Sequence, residues 1–193
     1  MSTGEIIAQL HRDQSGWDHG GGTIKALEYI TDIVSTVRFE EPIWKKYNAI
    51  LDSLASFVTW HDAASDATAV SVMVDAGCMA MHSLVPLTLG MDKTEMHKLL
   101  CRKQHDYGHG NISKFGLVGV AVRMCDKIAR AENLTKRGGV SAQVTEPLKD
   151  AYEDIIGYAV ISVMLYRDTF MLPLDSDKSA QDKYMPLRLD LDI

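Results

Sequence analysis

The sequence predicts an all-α protein, and three observations carry that prediction. Apolar residues recur at three- and four-residue steps through most of the chain, the spacing that gathers them on one side of a helix. Proline or capping signals stand at the starts of several of these runs, and glycine pairs follow two of them. No segment between turn signals sustains period-two alternation, the mark of a half-buried strand.

Taken in order, residues 1–22 are polar and end in Gly20-Gly21-Gly22, which predicts a mobile arm. Ile24, Leu27, Ile30, Ile33 and Val34 then mark a first amphipathic helix. Pro42 stands where a second helix opens, with Ile43, Tyr47, Ile50, Leu51, Leu54 and Phe57 on one face. A third is expected from about Ala63 to Leu84, stopping before Pro86. Asp92-Lys93-Thr94-Glu95 is a capping-box pattern, and the fourth helix it starts carries Met96, Leu99, Leu100 and Lys103 to a break at Gly108 and Gly110. A fifth spans roughly Ser113 to Leu134 and ends before Gly138-Gly139. The sixth opens near Thr145-Glu146-Pro147 and runs toward Phe170. From Pro173 the chain is polar and irregular, apart from the apolar patch Met185-Pro186-Leu187. This divides the chain into an arm (1–22), an N-terminal helical part (23–90), a functional core (91–171) and a tail (172–193).

At 193 residues the chain has the length of one domain with a substantial core. Its apolar share of 46% and charged share of 24% are those of a globular protein. A net charge of −6 argues against a nucleic-acid-binding surface, which needs a basic excess. A small anionic ligand needs only a local cluster of bases. The three cysteines, Cys78, Cys101 and Cys125, form no C-x-x-C pair, which fits a reducing cytoplasm. The N-terminus shows no basic region followed by an apolar stretch, so no signal peptide is expected. The longest apolar run, Ala69 to Met91, is interrupted by Asp75, His82 and Pro86 and reads as a buried helix rather than a membrane span. The sixth helix is apolar on many sides, which points to a homo-oligomer.

Two polar stripes carry the candidate chemistry. On the fifth helix Arg123, Asp126, Lys127 and Arg130 fall in one narrow stripe, which continues backward over Gly119 and Gly116. Bases there suit phosphate, and Asp126 suits a metal or the orientation of Lys127; a solvated, salt-bridged face has the same pattern. On the sixth helix Glu146, Asp150 and Asp154 recur every four residues and run into the apolar positions Gly157, Ile161, Met164 and Leu165. Mg²⁺ takes one or two carboxylates together with waters and substrate phosphates. Acids running into a buried face need partners, which a cation or the bases of the fifth helix would supply. A helix N-terminus also favours acids through its dipole. Between the fourth and fifth helices, Lys103-Gln104-His105-Asp106-Tyr107-Gly108-His109-Gly110-Asn111 packs a base, an acid, an aromatic ring and two imidazoles into nine residues. Such glycine-bearing loops form ligand clamps, and Tyr107 is placed to stack on a base.

Lys103-x-x-Asp106-Tyr107-Gly108, Phe115-Gly116, Val122-Arg123-x-x-Asp126-Lys127-x-x-Arg130 and Glu146-Pro147-Leu148-x-Asp150-x-x-x-Asp154-x-x-x-Tyr158-Ala159 occur in this order. The series resembles the phage and bacterial nucleotide modification associated domain 1 proteins, which are MazG-like nucleotide pyrophosphohydrolases. The resemblance covers about residues 94–170. It implies an all-α NTP pyrophosphatase-like fold, cytoplasmic in its host, that cleaves a nucleoside triphosphate to the monophosphate and pyrophosphate with Mg²⁺, or with Mn²⁺. Carried onto this chain, it makes Asp126, Glu146, Asp150 and Asp154 metal ligands. Lys103, His105, Asp106, Tyr107, Asn111, Arg123, Lys127 and Arg130 then surround the nucleotide. Asp150, Lys127 and Arg123 become the catalytic set, the metal lowering the pKa of an attacking water and the bases offsetting charge on the leaving pyrophosphate. One departure stands out: MazG enzymes carry an E-x-x-E pair where this chain has Arg123-x-x-Asp126-Lys127.

Two other readings share these residues. A protein that sequesters a nucleotide without turnover needs only the basic stripe and the tyrosine loop. An HD-type phosphohydrolase would use His82, His105-Asp106 and a distant Asp126 or Asp150, with imidazoles and carboxylates on a divalent metal. His61-Asp62 is a second such dipeptide, and isolated His61, His82 and His97 read as surface or satisfied histidines.

Overall fold

Apolar residues at helical spacing build the four helices of the computed structural model, which describes residues 43–88, 96, 99–100, 102–103, 106–107, 110–138, 147–167 and 170. Helix α1 spans Ile43–Thr59, a 3₁₀ turn covers Ala63–Ser65, and α2 follows over Asp66–Thr88. Helix α3 spans Gly110–Lys136 and α4 spans Leu148–Tyr166. Met96, Leu99, Leu100, Arg102, Lys103, Asp106 and Tyr107 are helical as well. No strand occurs among the described residues, which are all-α. The expected arm, first helix and tail lie outside the described residues, as do His97, Cys101, His105 and Glu146.

The core draws on every helix. Tyr47 and Leu54 of α1, Met73, Met79 and Leu84 of α2, Met124 and Ile128 of α3, and Ile155 and Ile156 of α4 are essentially closed to solvent. The α2–α4 and α3–α4 interfaces are the most extensive, so α4 sits between the other two. That position explains why α4 is apolar on many sides. Helix α2 is apolar and long enough to cross a membrane by length and composition, and 61% of its most apolar window is buried in the bundle.

Three boundaries differ from those the sequence suggests. Helix α2 continues through Pro86 to Thr88. A proline close to a helix end removes one hydrogen bond and leaves few later ones to disturb. Helix α3 begins at Gly110, earlier than Ser113, and is broken internally at Gly116, where φ is 54° and ψ is −146°. That conformation is open essentially only to glycine. The break turns Phe115 over Gly119, so close that a Cβ at Gly119 would lie 2.4 Å from the Phe115 Cβ. The Arg123 stripe therefore does not run straight back over Gly116 on one helix face. Helix α4 begins after Pro147 in extended conformation and ends at Tyr166, short of Phe170.

Candidate functional site

Helical spacing also brings the polar residues together. Lys103 is three residues beyond Leu100, Arg123 four before Lys127, and Tyr158 four beyond Asp154. Each pair shares a helix face, and all these faces line one cleft of about 260 Å³. Tyr107, Asn111, Ile112, Glu153, Gly157 and Ile161 complete its lining.

The order of residues along the cleft follows from two contacts with α4. A Cβ on Gly157 would come within 2.9 Å of Leu100 Cδ2, so the absence of a side chain at 157 admits Leu100 against the helix. Three residues on from Leu100, Lys103 Nζ donates to Asp154 Oδ1, three residues back from Gly157. The segment carrying Leu100 and Lys103 thus runs antiparallel to α4. Lys103 belongs to the end marked by Asp154, and Leu100, Gly157 and Ile161 to the other. Helix α3 crosses in the same sense: Thr135 Oγ1 lies 3.5 Å from the Tyr152 hydroxyl, and Lys127 Nζ is 2.8 Å from Asp154 Oδ2. Lys103, Lys127 and Asp154 therefore mark the charged end of the cleft, and Arg123, one turn before Lys127 on α3, lies on the apolar side of them.

The charged end centres on one carboxylate. Asp154 accepts from Lys103 on one oxygen and pairs with Lys127 through the other, and its side chain is only 20% exposed. Burial pushes its carboxyl up, but the hydrogen bonds and charges of the two lysines outweigh burial, and the group titrates below the ordinary carboxylate value. Glu153, the other acid of the cleft, is held by Lys149 at 3.1 Å. Among the described residues the lining holds three cations, Lys103, Arg123 and Lys127, against two acids, Asp154 and Glu153, and Lys149 offsets the latter from outside the cleft. In a chain of net charge −6, this is a local reversal of sign.

Lys103, Tyr107, Asn111, Arg123, Lys127 and Asp154, all singled out in the sequence, converge in this cleft. The acids of the sixth-helix stripe were expected to need the bases of the fifth, and Lys127 supplies one to Asp154. Asp106, Asp126, Arg130 and Asp150 do not line the cleft, and Asp106 and Asp126 are exposed. Glu153, Tyr158 and the apolar floor were not singled out as site residues. Tyr158 follows Asp154 on the same stripe, which is the signal that points to it, whereas nothing in the pattern distinguishes Glu153 from a solvated acid.

The fit of a divalent metal can be read from the same contacts. Both Asp154 oxygens carry an ammonium group, which a cation would have to displace. Among the described residues no three His, Cys, Asp or Glu side chains gather as a metal site. The described acids thus do not fit Mg²⁺ in the cleft. The described members of the HD pattern do not gather either, and the second HD dipeptide has local work: Asp62 caps the 3₁₀ turn through Ser65 N at 2.8 Å, while His61 Nε2 pairs with Asp66 at 2.9 Å. Comparison of the chain with known protein families, curated proteins and solved structures finds no match in any of the three.

Proposed function

We propose that the cleft binds a nucleoside triphosphate, with the phosphates against Lys103, Arg123 and Lys127. The observation that carries this reading is the convergence of three cations and two tyrosines on one cleft with an apolar end. Phosphate oxygens accept charge-assisted hydrogen bonds from ammonium and guanidinium groups, each worth about 1.5–3 kcal/mol. A base has the faces of Tyr107 and Tyr158 to stack on; Tyr107 is 82% exposed and gains most from being covered. The cleft volume of about 260 Å³ lies just below the range for small-molecule sites, roughly 300–1,000 Å³. A sugar and base packed on the exposed tyrosine would extend beyond it.

Hydrolysis to the monophosphate and pyrophosphate is the second reading, and the placement of Asp150 favours it. Asp150 lies one turn before Asp154 on α4, beyond the charged end and half-buried, where it can meet phosphates held by the lysines. Mg²⁺ or Mn²⁺ at Asp150, with Asp126, Glu146 or substrate oxygens, would supply the polarised phosphoryl group of such a reaction. We read the chain as a homo-oligomeric protein of the cytoplasm, with a MazG-like core over residues 91–171 in a bundle of about six helices. Without turnover, the same cleft serves a sequestering protein.

A thermal-shift screen of ribo- and deoxynucleoside triphosphates, with and without Mg²⁺, followed by pyrophosphate analysis, tests both. Stabilisation by triphosphates over nucleosides supports the binding reading, and no shift with any of them refutes it. Pyrophosphate release that Asp150→Asn abolishes supports turnover; full activity in that variant refutes the role of Asp150.

A further inference from the structure

We propose that Asp154 is not a metal ligand but the positioning residue of the cleft, holding Lys103 and Lys127 as a pair that takes a phosphate group directly, with no divalent cation between them. The inference rests on the nucleotide-binding reading and reverses the role that the sequence resemblance gives this acid. The two lysines come from different elements and reach opposite oxygens of one carboxylate. Without that carboxylate, two ammonium groups so close would repel and swing toward solvent, to which their side chains are already 32% and 28% exposed. An ammonium group has three donors, so a lysine that keeps one on Asp154 can turn another to a phosphate. Arg123, one turn from Lys127 on α3, forms no ion pair with another described residue and adds a third donor group to the same cleft. A metal ion at Asp154 would have to displace both lysines. A phosphate enters without displacing either.

The test is the affinity of the full-length protein for ATP and for inorganic tripolyphosphate, each measured by calorimetry in EDTA and in Mg²⁺. The proteins compared are wild type, Asp154→Asn and Lys103→Gln. A positioning role gives tight binding in EDTA, weakened about tenfold or more by either substitution, with the same factor in Mg²⁺. A metal-ligand role gives binding only in Mg²⁺, with Asp154→Asn effective there alone, and overturns the proposal. If Asp154→Asn is poorly folded, Lys103→Gln decides: an unchanged Kd in EDTA overturns the lysine pair. Tripolyphosphate binding without ATP binding leaves the lysine pair standing and removes the nucleotide reading. Binding of neither ligand in EDTA overturns the pair itself.

Discussion

The α1–α2 half of the molecule and the α3–α4 hairpin are both packed, but they are packed with different materials. In α1 and α2, burial is nearly all apolar: Leu54, Met73, Met79 and Leu84 are essentially closed to solvent. Cys78 lies there too, and burial, helped by Asp75, pushes its thiol up to about 12, so it is a small hydrophobe rather than a nucleophile. Burial likewise raises the Tyr47 hydroxyl beyond its usual range. The α3–α4 side buries a carboxylate together with two lysines and bends a helix at a glycine-only conformation. Apolar packing can be exchanged for other packing of similar volume. A half-buried carboxylate clamped by two cations has a cost in desolvation, and is poorly explained by stability alone. The contrast separates scaffold from site without reference to any ligand.

The comparison breaks most directly at the scaffold. Leu54→Ala removes a fully buried side chain of α1 and is expected to cost about 2–5 kcal/mol in urea unfolding, while the surviving folded fraction keeps its ligand affinity. Lys127→Gln should do the reverse, with about 1 kcal/mol lost in stability and tenfold or more in phosphate affinity. Equal losses of stability in the two variants would erase the division. Next in size is Gly116→Ala, which forces a side chain into φ 54° and should cost about 1–3 kcal/mol. That variant also sharpens the comparison: it sits on the cleft side yet acts through the backbone, so its unfolding midpoint should move more than that of Lys127→Gln.

Asp154 provides a smaller, pH-dependent effect. Its folded carboxyl titrates below the ordinary value of 3.8, so the unfolded state binds the proton more readily. The stability it contributes is fully present above that ordinary value and is lost as pH falls through the lowered folded value. Wild type should therefore lose more stability than Asp154→Asn between neutral pH and acid, read from urea midpoints at each pH. Parallel curves would show that the lysines do not hold the carboxylate in solution. Smallest of all is Gly157→Ala. Its methyl would meet the flexible tip of Leu100 at 2.9 Å, and that tip can turn aside, so a cost below about 1 kcal/mol is expected. Affinity should shift slightly, because Leu100 is displaced within the cleft.

Much of the scaffold was legible because it rests on periodicity. Tyr47, Ile50, Leu54 and Phe57 declare the buried face of α1, and all four are buried. Helix ends were read less well, because local signals compete with packing: Pro86 reads as a stop, yet α2 passes through it for a last half-turn. Gly116 was visible as a glycine on the polar stripe, but only the backbone shows that it breaks the helix there. For the site, the stripes told which side of each helix was polar, and so Lys103, Arg123, Lys127 and Asp154 could be singled out. They could not tell which partner each residue would meet. Asp154 follows Asp150 by one turn and looks like the second of a metal pair, and only the meeting of three elements shows it carrying two lysines. Glu153 was missed for the same reason, since facing a cleft is a property of packing rather than of spacing.

The most direct measurement is an isothermal titration of wild type and Lys127→Gln with a nucleoside triphosphate in EDTA. Saturable one-to-one binding that weakens tenfold or more in the variant is the expected result. The same Kd for both proteins, or no heat of binding with wild type, would contradict a phosphate-binding cleft built on Lys103, Lys127 and Asp154.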